Sequence, residues 1–391
     1  MPPFGFRSSY RLAGQPESGK ANICKMSKIG ALQMAKWLNR LDGEWGRGHA
    51  ATMGLVIDIP AIQANWKALA AHAPGARAGA VVKADGYGLG AARVAPALYQ
   101  AGARDFFVAL AGEGRAIRPL LGGDARIFIL SGHMEGEDLT GLTPVLNSAE
   151  QFFRDRALRP RGAFAIQLDS GMNRLGMEPA EWAAIRDEAL AAGPQLIMSH
   201  LACADEPEHP ANAAQLAAFR AMTDGVAVPR SLAATGGILL GPEYHFDLVR
   251  PGVGLYGGLP FAGARPVVTL SLPVIQTREV MPGESVGYGH VWTATRASRI
   301  ATVAAGYADG LARALAQDGK LRLWAGEQTC PVVGRISMDL ITVDVTDLPE
   351  VPPALEILNA RQGVDALAAC SGTIGYEILT SLGRRYARTC L

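Results

Sequence analysis

A single lysine closes the apolar run in "AVVKADGYGLG", Ala80 to Gly90, and glycines follow it at 86, 88 and 90. Lysine is strongly hydrated, so an apolar strand end excludes it unless its amine is paired, used covalently, or snorkels back to water. The alternate spacing of Gly86, Gly88 and Gly90 lacks the GxGxxG of a dinucleotide fingerprint. Other groups able to move protons or hold anions stand far along the chain: His200 at the end of "PQLIMSH", Arg250 in "VRPG", and Tyr288 between two glycines. Each has an ordinary reading when taken singly, respectively a satisfied core histidine, a surface ion-paired arginine and a half-buried ring. Chemistry requires a fold that gathers them.

The elements that must do so alternate from Met53 to about Leu259. "ARAGAVVK" (76–83) is followed by "GAARVAPALYQAG", "DFFVAL" (105–110) by "AGEGRAIRPLL", "RIFIL" (126–130) by a turn, "GAFAIQL" (162–168) by "EPAEWAAIRDEALAAG", and "PQLIMSHL" by "ANAAQLAAFRAMTDG". Apolar strands separated by helix-length segments make parallel βαβ units. About seven or eight units in roughly 200 residues suit a TIM-like (β/α)8 barrel better than an open sheet. Catalytic groups of such barrels sit at the carboxyl ends of the strands, which is where Lys83 stands. From Pro266 the texture changes to β-branched runs such as "PVVTLSLPVIQTREV" and "CPVVGRISMDLITVDVT", punctuated by Gly, Pro and Asp, which describe an antiparallel β domain. The sequence therefore divides into an extension over 1–52, a barrel over 53–260 and a β domain over 261–391, the boundary falling within 257–265. A strand at Leu55–Asp58 is free to pair with the β domain.

The composition of this 391-residue chain, 49% hydrophobic and 19% charged, is that of a soluble globular protein. A net charge of +1 gives no electrostatic reason for a nucleic-acid or anionic-membrane partner. Every apolar run is broken before the roughly 18–20 residues a membrane helix needs. Cys24, Cys203, Cys330, Cys370 and Cys390 lie far apart with no CxxC pair, so neither disulfides nor a metal site is expected and a cytoplasmic location fits. The first 50 residues differ, with eight Lys/Arg against three Asp/Glu and much Pro, Gly and Ser. They lack the apolar core of a signal peptide. A poorly ordered basic extension or an upstream-start artefact is expected, with Met26–Leu41 a short amphipathic helix.

"VVKADGYGLG" resembles the pyridoxal-phosphate attachment motif of the alanine racemase family, VVKANAYGHG. The resemblance continues in order through "LDSGMNRLG" (168–176), "SHLACADE" (199–206), "LVRPGVGLYG" (248–257), "SVGYGHVW" (285–292), "VAAGYADGLAR" (303–313), "VGRISMD" (333–339) and "GTIGYEIL" (372–379). It implies a fold-type III barrel plus β domain, a pyridoxal 5'-phosphate cofactor, and racemisation of L- and D-alanine.

By position, the resemblance makes Lys83 the Schiff-base lysine and one of two acid/base groups, with Tyr288 the other. His200 and Arg250 would form the chain that makes Tyr288 basic, and Arg250 would also face the pyridine nitrogen. Tyr87, Thr235, Gly252, Val253 and Tyr376 would hold the phosphate, and Arg174 the cofactor's phenolic oxygen and the substrate side. Tyr307, Met338 and Asp339 would shape the substrate entrance. In the family Tyr288, Met338 and Asp339 come from a second subunit, so a homodimer with shared sites is implied. One product would be D-alanine, a peptidoglycan precursor, and a catabolic role is equally compatible with the sequence.

The departures from the family pattern at Asp85, Gly86 and Leu89 lie in the loop and touch the role of neither Lys83 nor Tyr87, but two others matter. Gln167 stands where well-known members carry a carbamylated lysine seven residues before Arg174, so either a hydrogen bond from Gln167 alone or a bound anion is expected to replace that charge. "SLAATGG" (231–237) replaces CANSAA, putting Ala234 and Thr235 at a phosphate-side contact. Alternatives from the sequence are a racemase of broader specificity, a non-catalytic pyridoxal-phosphate carrier, or a decarboxylase. The carriers lack a β domain, and decarboxylases place an acidic group at the pyridine nitrogen.

Overall fold

The computed structural model describes residues 53–391; the extension over 1–52, with Cys24 and the Met26–Leu41 helix expected there, lies outside the described residues. Eight short parallel strands close into a barrel. Seven run in chain order: Ala80–Val81, Asp105–Val108, Arg126–Ile129, Thr143–Leu146, Ala165–Gln167, Ile197–Met198 and Arg230–Ser231. Leu248–Val249 completes the ring, pairing in parallel with Arg77–Ala78 and linked to the seventh strand through the Asp247 N–H and Arg230 carbonyl at 3.0 Å. Gly79 joins Arg77–Ala78 to Ala80–Val81, and a Cβ there would stand 2.9 Å from the Asp105 carbonyl. Apart from Arg77, Ala78, Arg126 and Arg230 near their amino ends, the strand residues are buried, as covering helices require, and Phe107 and Phe128 stack in the interior at 4.8 Å.

The strand Thr143–Leu146 was not legible beforehand. Pro144 lacks an N–H and reads as a strand breaker, yet it pairs with Ile129 in the barrel. Residues 131–142 carry no helix, so this strand follows its neighbour by a loop. The first helix, Ile59–His72, starts where the Asp58 carboxylate accepts from the Ala61 N–H at 2.8 Å.

The long strand Val268–Val280 organises the β domain, pairing antiparallel with Gly54–Ile57, Ala354–Leu358 and Ser298–Ala304. Register shifts along it let one strand serve these different neighbours. Gly54–Ile57 also pairs in parallel with Ala387–Cys390, so the sheet is not purely antiparallel. The strand that leads into the barrel is thus hydrogen-bonded into the second domain on both edges.

Candidate active site

Lys83 follows the first barrel strand, and the chain then turns left-handed. Ala84, Asp85, Gly86, Tyr87 and Gly88 all have φ between 53° and 79°. Left-handed backbone costs a residue with a Cβ about 1–2 kcal/mol, so the surroundings must over-determine it. The Ala84 N–H donates to Glu113 Oε1 at 2.6 Å, and Asp85 Oδ1 accepts from the Ala91 N–H at 2.8 Å. Gly88 has no room for a side chain, since a Cβ would meet the Leu379 carbonyl at 2.6 Å. This turn presents a half-buried Lys83 amine whose pKa is lowered by burial and by Arg174, against an opposing effect of Glu113. Lowering it enlarges the neutral, nucleophilic fraction.

A cavity of about 670 Å³ opens beside it, lined by Lys83, Tyr87, Gln167, Arg174, His200, Thr235, Arg250, Gly252, Val253 and Tyr376 among others. Residues scattered over nearly 300 positions meet because each follows or ends a barrel strand or packs across its mouth. Arg250 is 3% exposed. Its guanidinium donates to Ser231 Oγ, to the Ser199 carbonyl at 2.6 Å and to the Leu232 carbonyl at 3.3 Å, and lies 3.4 Å from His200 Nδ1; none of these is a carboxylate. Burial pulls its pKa down to about 9, still cationic at neutral pH. Burial, then Arg250, Arg174 and Lys83, bring His200 down to about 3, so its imidazole is neutral and able to accept.

At the other end of the cavity, the buried Tyr87 ring stacks on Tyr256 at 4.5 Å and lies 6.0 Å from Tyr376. Burial first, then nearby acidic groups, push Tyr376 up to about 12, and Tyr87 is raised further, so both remain phenols that can donate. Thr235 starts the short helix Thr235–Leu240, and its Oγ1 accepts from the Gly252 N–H at 3.0 Å and the Gly254 N–H at 3.3 Å. The Gly252 N–H expected to face a phosphate is therefore engaged by Thr235, leaving the threonine hydroxyl proton to point elsewhere. A Cβ on Gly252 would stand 2.6 Å from Tyr87 Oη. Gln167 is buried, and its Nε2 donates to the Leu175 carbonyl at 3.0 Å, fixing the backbone beside Arg174 without supplying charge.

Tyr288, Tyr307, Met338 and Asp339 do not line this cavity. Tyr288 is 71% exposed on a turn between the paired segments Ser285–Val286 and Trp292–Thr293. A Cβ on the next residue, Gly289, would approach Arg335 Nη1 at 2.8 Å, which places that turn over the segment leading to Met338. The Tyr307 N–H donates to the Ser337 carbonyl at 3.1 Å and the Ala308 N–H to the Met338 carbonyl at 3.0 Å. Arg385 bridges Asp339, at 2.7 Å, to the buried Asp309. These four residues form one surface of the β domain, where Tyr288, Val291 and Met338 are all more than half exposed.

Sequence reasoning missed Glu113, Tyr256, Ser199 and Ser231. Glu113 had a local signal, an acid three residues after the strand-end Leu110, where it caps the following helix. The serines had none, because their role depends on which strands become neighbours. Among the described residues no group of three or more His, Cys, Asp or Glu is placed to hold a metal, and no helix is long and apolar enough to cross a membrane.

Residues 57–260 match the family model for the alanine racemase N-terminal domain, and residues 267–390 that for the alanine racemase C-terminal domain. An alanine racemase of Cereibacter sphaeroides is 62% identical over 343 residues, covering 86% of this chain and 98% of the relative. One from Rhodospirillum rubrum is 50% identical over 365 residues, covering 88% and 97%. Among solved structures, the alanine racemase of Bartonella henselae with covalently bound pyridoxal phosphate superposes with a TM-score of 0.82 at 36% identity, covering 87% of this chain and 100% of that one. The biosynthetic alanine racemase of Pseudomonas aeruginosa gives 0.81 at 36% identity, covering 87% and 99%.

Proposed function

The chain belongs to the alanine racemase family, and from that membership we propose how its residues divide the work of interconverting L- and D-alanine with pyridoxal phosphate. The cavity suits this cofactor. It offers an amine of lowered basicity at Lys83, phenolic and hydroxyl groups at Tyr87, Tyr376 and Thr235, and a buried cation at Arg250 that no carboxylate neutralises. Gly252 admits close approach because no Cβ fits against Tyr87. When bound, pyridoxal phosphate supplies an aldehyde that takes up an amine covalently and a ring that draws electrons from the α-carbon.

Tyr87, Thr235, Val253 and Tyr376 would hold the phosphate, Gly252 leaving room for it with its own N–H given to Thr235, and Arg174 would hold the phenolic oxygen. Arg250 would donate to the ring nitrogen and has no acceptor for a proton held there, so it restrains the electron withdrawal that an acidic partner would strengthen. Side reactions at the ring are thereby disfavoured. Inverting a carbon requires a proton removed on one side and delivered on the other. Lys83 Nζ serves one side and Tyr288 Oη the other. A phenol near pKa 10 is a poor base at neutral pH, and the cationic Arg250 acting through neutral His200 favours its ionised form.

One observation carries the rest: Lys83 lines the cavity while Tyr288 stands exposed outside it in the same chain. A second copy must bring Tyr288 in, so the working unit is a homodimer in which Tyr288, Met338 and Asp339 of each copy reach the other's cavity, with Tyr307 at the entrance. This reading keeps 53–260 as the cofactor-binding barrel and 261–391 as the β domain. The free thiols of Cys203, Cys330, Cys370 and Cys390 support a reducing cytoplasm, where the product serves as a peptidoglycan precursor. Adding L-alanine in D2O to the purified holoenzyme tests the reaction. Optical rotation should decay to zero while deuterium enters Cα; a cofactor-loaded protein that leaves L-alanine unchanged would refute it.

A further inference from the structure

Glu113 lies outside every role assigned above, yet it holds the lysine-bearing turn in place. It projects from the helix Ala111–Ile117, which follows the second barrel strand. One carboxylate oxygen accepts from the Ala84 N–H at 2.6 Å; the other accepts from the N–H groups of Ala109, at 2.8 Å, and Leu110, at 3.2 Å. A single side chain thus joins the peptide immediately after Lys83 to the end of the neighbouring strand. Ala84 and Asp85 have no intrinsic preference for φ near 53° and 54°, so the bond at Ala84 helps to impose that conformation.

We propose that Glu113 is the positioning residue for Lys83, its carboxylate pinning the left-handed turn to the second strand and setting a negative charge near the amine. This inference rests on the reading of Lys83 as the reactive amine. A carboxylate is the only side chain that satisfies the geometry. Both of its oxygens accept, whereas an amide would set an N–H against one of the two groups of backbone donors. The charge opposes the effects of burial and Arg174 on Lys83, which together still leave the amine less basic than a free lysine. Such a poise suits a group that must release a proton as well as take one.

The test compares Glu113→Gln with wild type in the full-length chain. Hydrogen exchange of the Ala84 amide should quicken about tenfold or more, as expected for loss of a hydrogen bond to a charged acceptor. Competitive acetylation of Lys83, read by mass spectrometry on chain freed of cofactor, should show the amine titrating at lower pH. In steady state kcat for alanine should fall more than KM changes. Wild-type behaviour in either the exchange or the acetylation overturns the proposal. Should E113Q fail to fold, Glu113→Asp carries the same test. Its shorter arm cannot reach both segments, so Ala84 exchange should rise, while its charge keeps Lys83 titration near wild type; wild-type exchange at Ala84 would again overturn the clamp. A wild-type chain that does not racemise alanine would refute the function, leaving exchange and acetylation to judge Glu113.

Discussion

Nδ1 of His200 lies 3.4 Å from the Arg250 guanidinium, a neutral imidazole against a buried cation. A histidine so placed resists protonation, first because burial disfavours its charged form and then because a second positive charge would be confined beside the first, with no carboxylate among the described residues bonded to Arg250 to balance it. The pair therefore has a fixed polarity, with Arg250 donating and His200 free to accept.

That polarity has a consequence for stability. The folded-state pKa of His200 is depressed to about 3 from the usual 6.5 of a free imidazole. Above that ordinary value the folded and unfolded chains bind the same number of protons at this residue. As pH falls below it, the unfolded chain binds a proton that the folded chain refuses, and stability is lost. Wild-type Tm should fall between pH 6.5 and 4 more steeply than that of His200→Gln. NMR of the ring should show no titration across neutral pH; a midpoint near 6.5 would disprove the account.

Gly252 and Tyr87 make a second testable pair. A Cβ at position 252 would stand 2.6 Å from Tyr87 Oη, so Gly252→Ala must push the ring or its own backbone aside. Overpacking of this kind costs about 1–3 kcal/mol. Removing the hydroxyl should relieve it, so Gly252→Ala with Tyr87→Phe should lose less stability than the two single costs combined. Denaturant unfolding of the four proteins measures the coupling, and strict additivity would mean that the contact does not decide the matter.

Sequence carried much of this, unevenly. Lys83 and its glycines were visible because an apolar strand that ends on a cation is locally unusual. The barrel was visible because largely buried strands and covering helices leave a compositional rhythm. The left-handed turn was not, since Ala84 and Asp85 are ordinary residues whose conformation is set by Glu113 and the packing at Leu379. Thr143–Leu146 was hidden by Pro144, which the barrel accommodates. The engagement of the Gly252 N–H by Thr235 could not be read either, because it depends on the seventh and eighth strands becoming neighbours.

Arg250 should control what reaction the cofactor performs. Replacing it by glutamate would put a hydrogen-bond-accepting carboxylate at the ring-nitrogen position, which would hold a proton on that nitrogen and strengthen electron withdrawal. Racemisation by Arg250→Glu should fall, and transamination should rise relative to it. Assaying both products from one incubation, with folding checked by circular dichroism, reads the partition; an unchanged ratio in a folded variant would remove Arg250 from that role.

Tyr288 offers the sharpest separation of activity from stability. Its ring is 71% exposed in the single chain, so Tyr288→Phe should alter the stability of that chain by no more than about 0.5 kcal/mol. Loss of an acid/base group should nonetheless lower kcat by roughly 10²–10⁴-fold. Lys83→Ala should be inactive for a different reason, lacking the amine. If Tyr288 works in the other copy's cavity, mixing the two dead variants and exchanging subunits must restore activity. Random reassortment makes half of the dimers mixed, and each mixed dimer has one site with both groups intact, so about a quarter of wild-type activity should return. Were both groups to act within one chain, every site would lack one of them and the mixture would stay inactive.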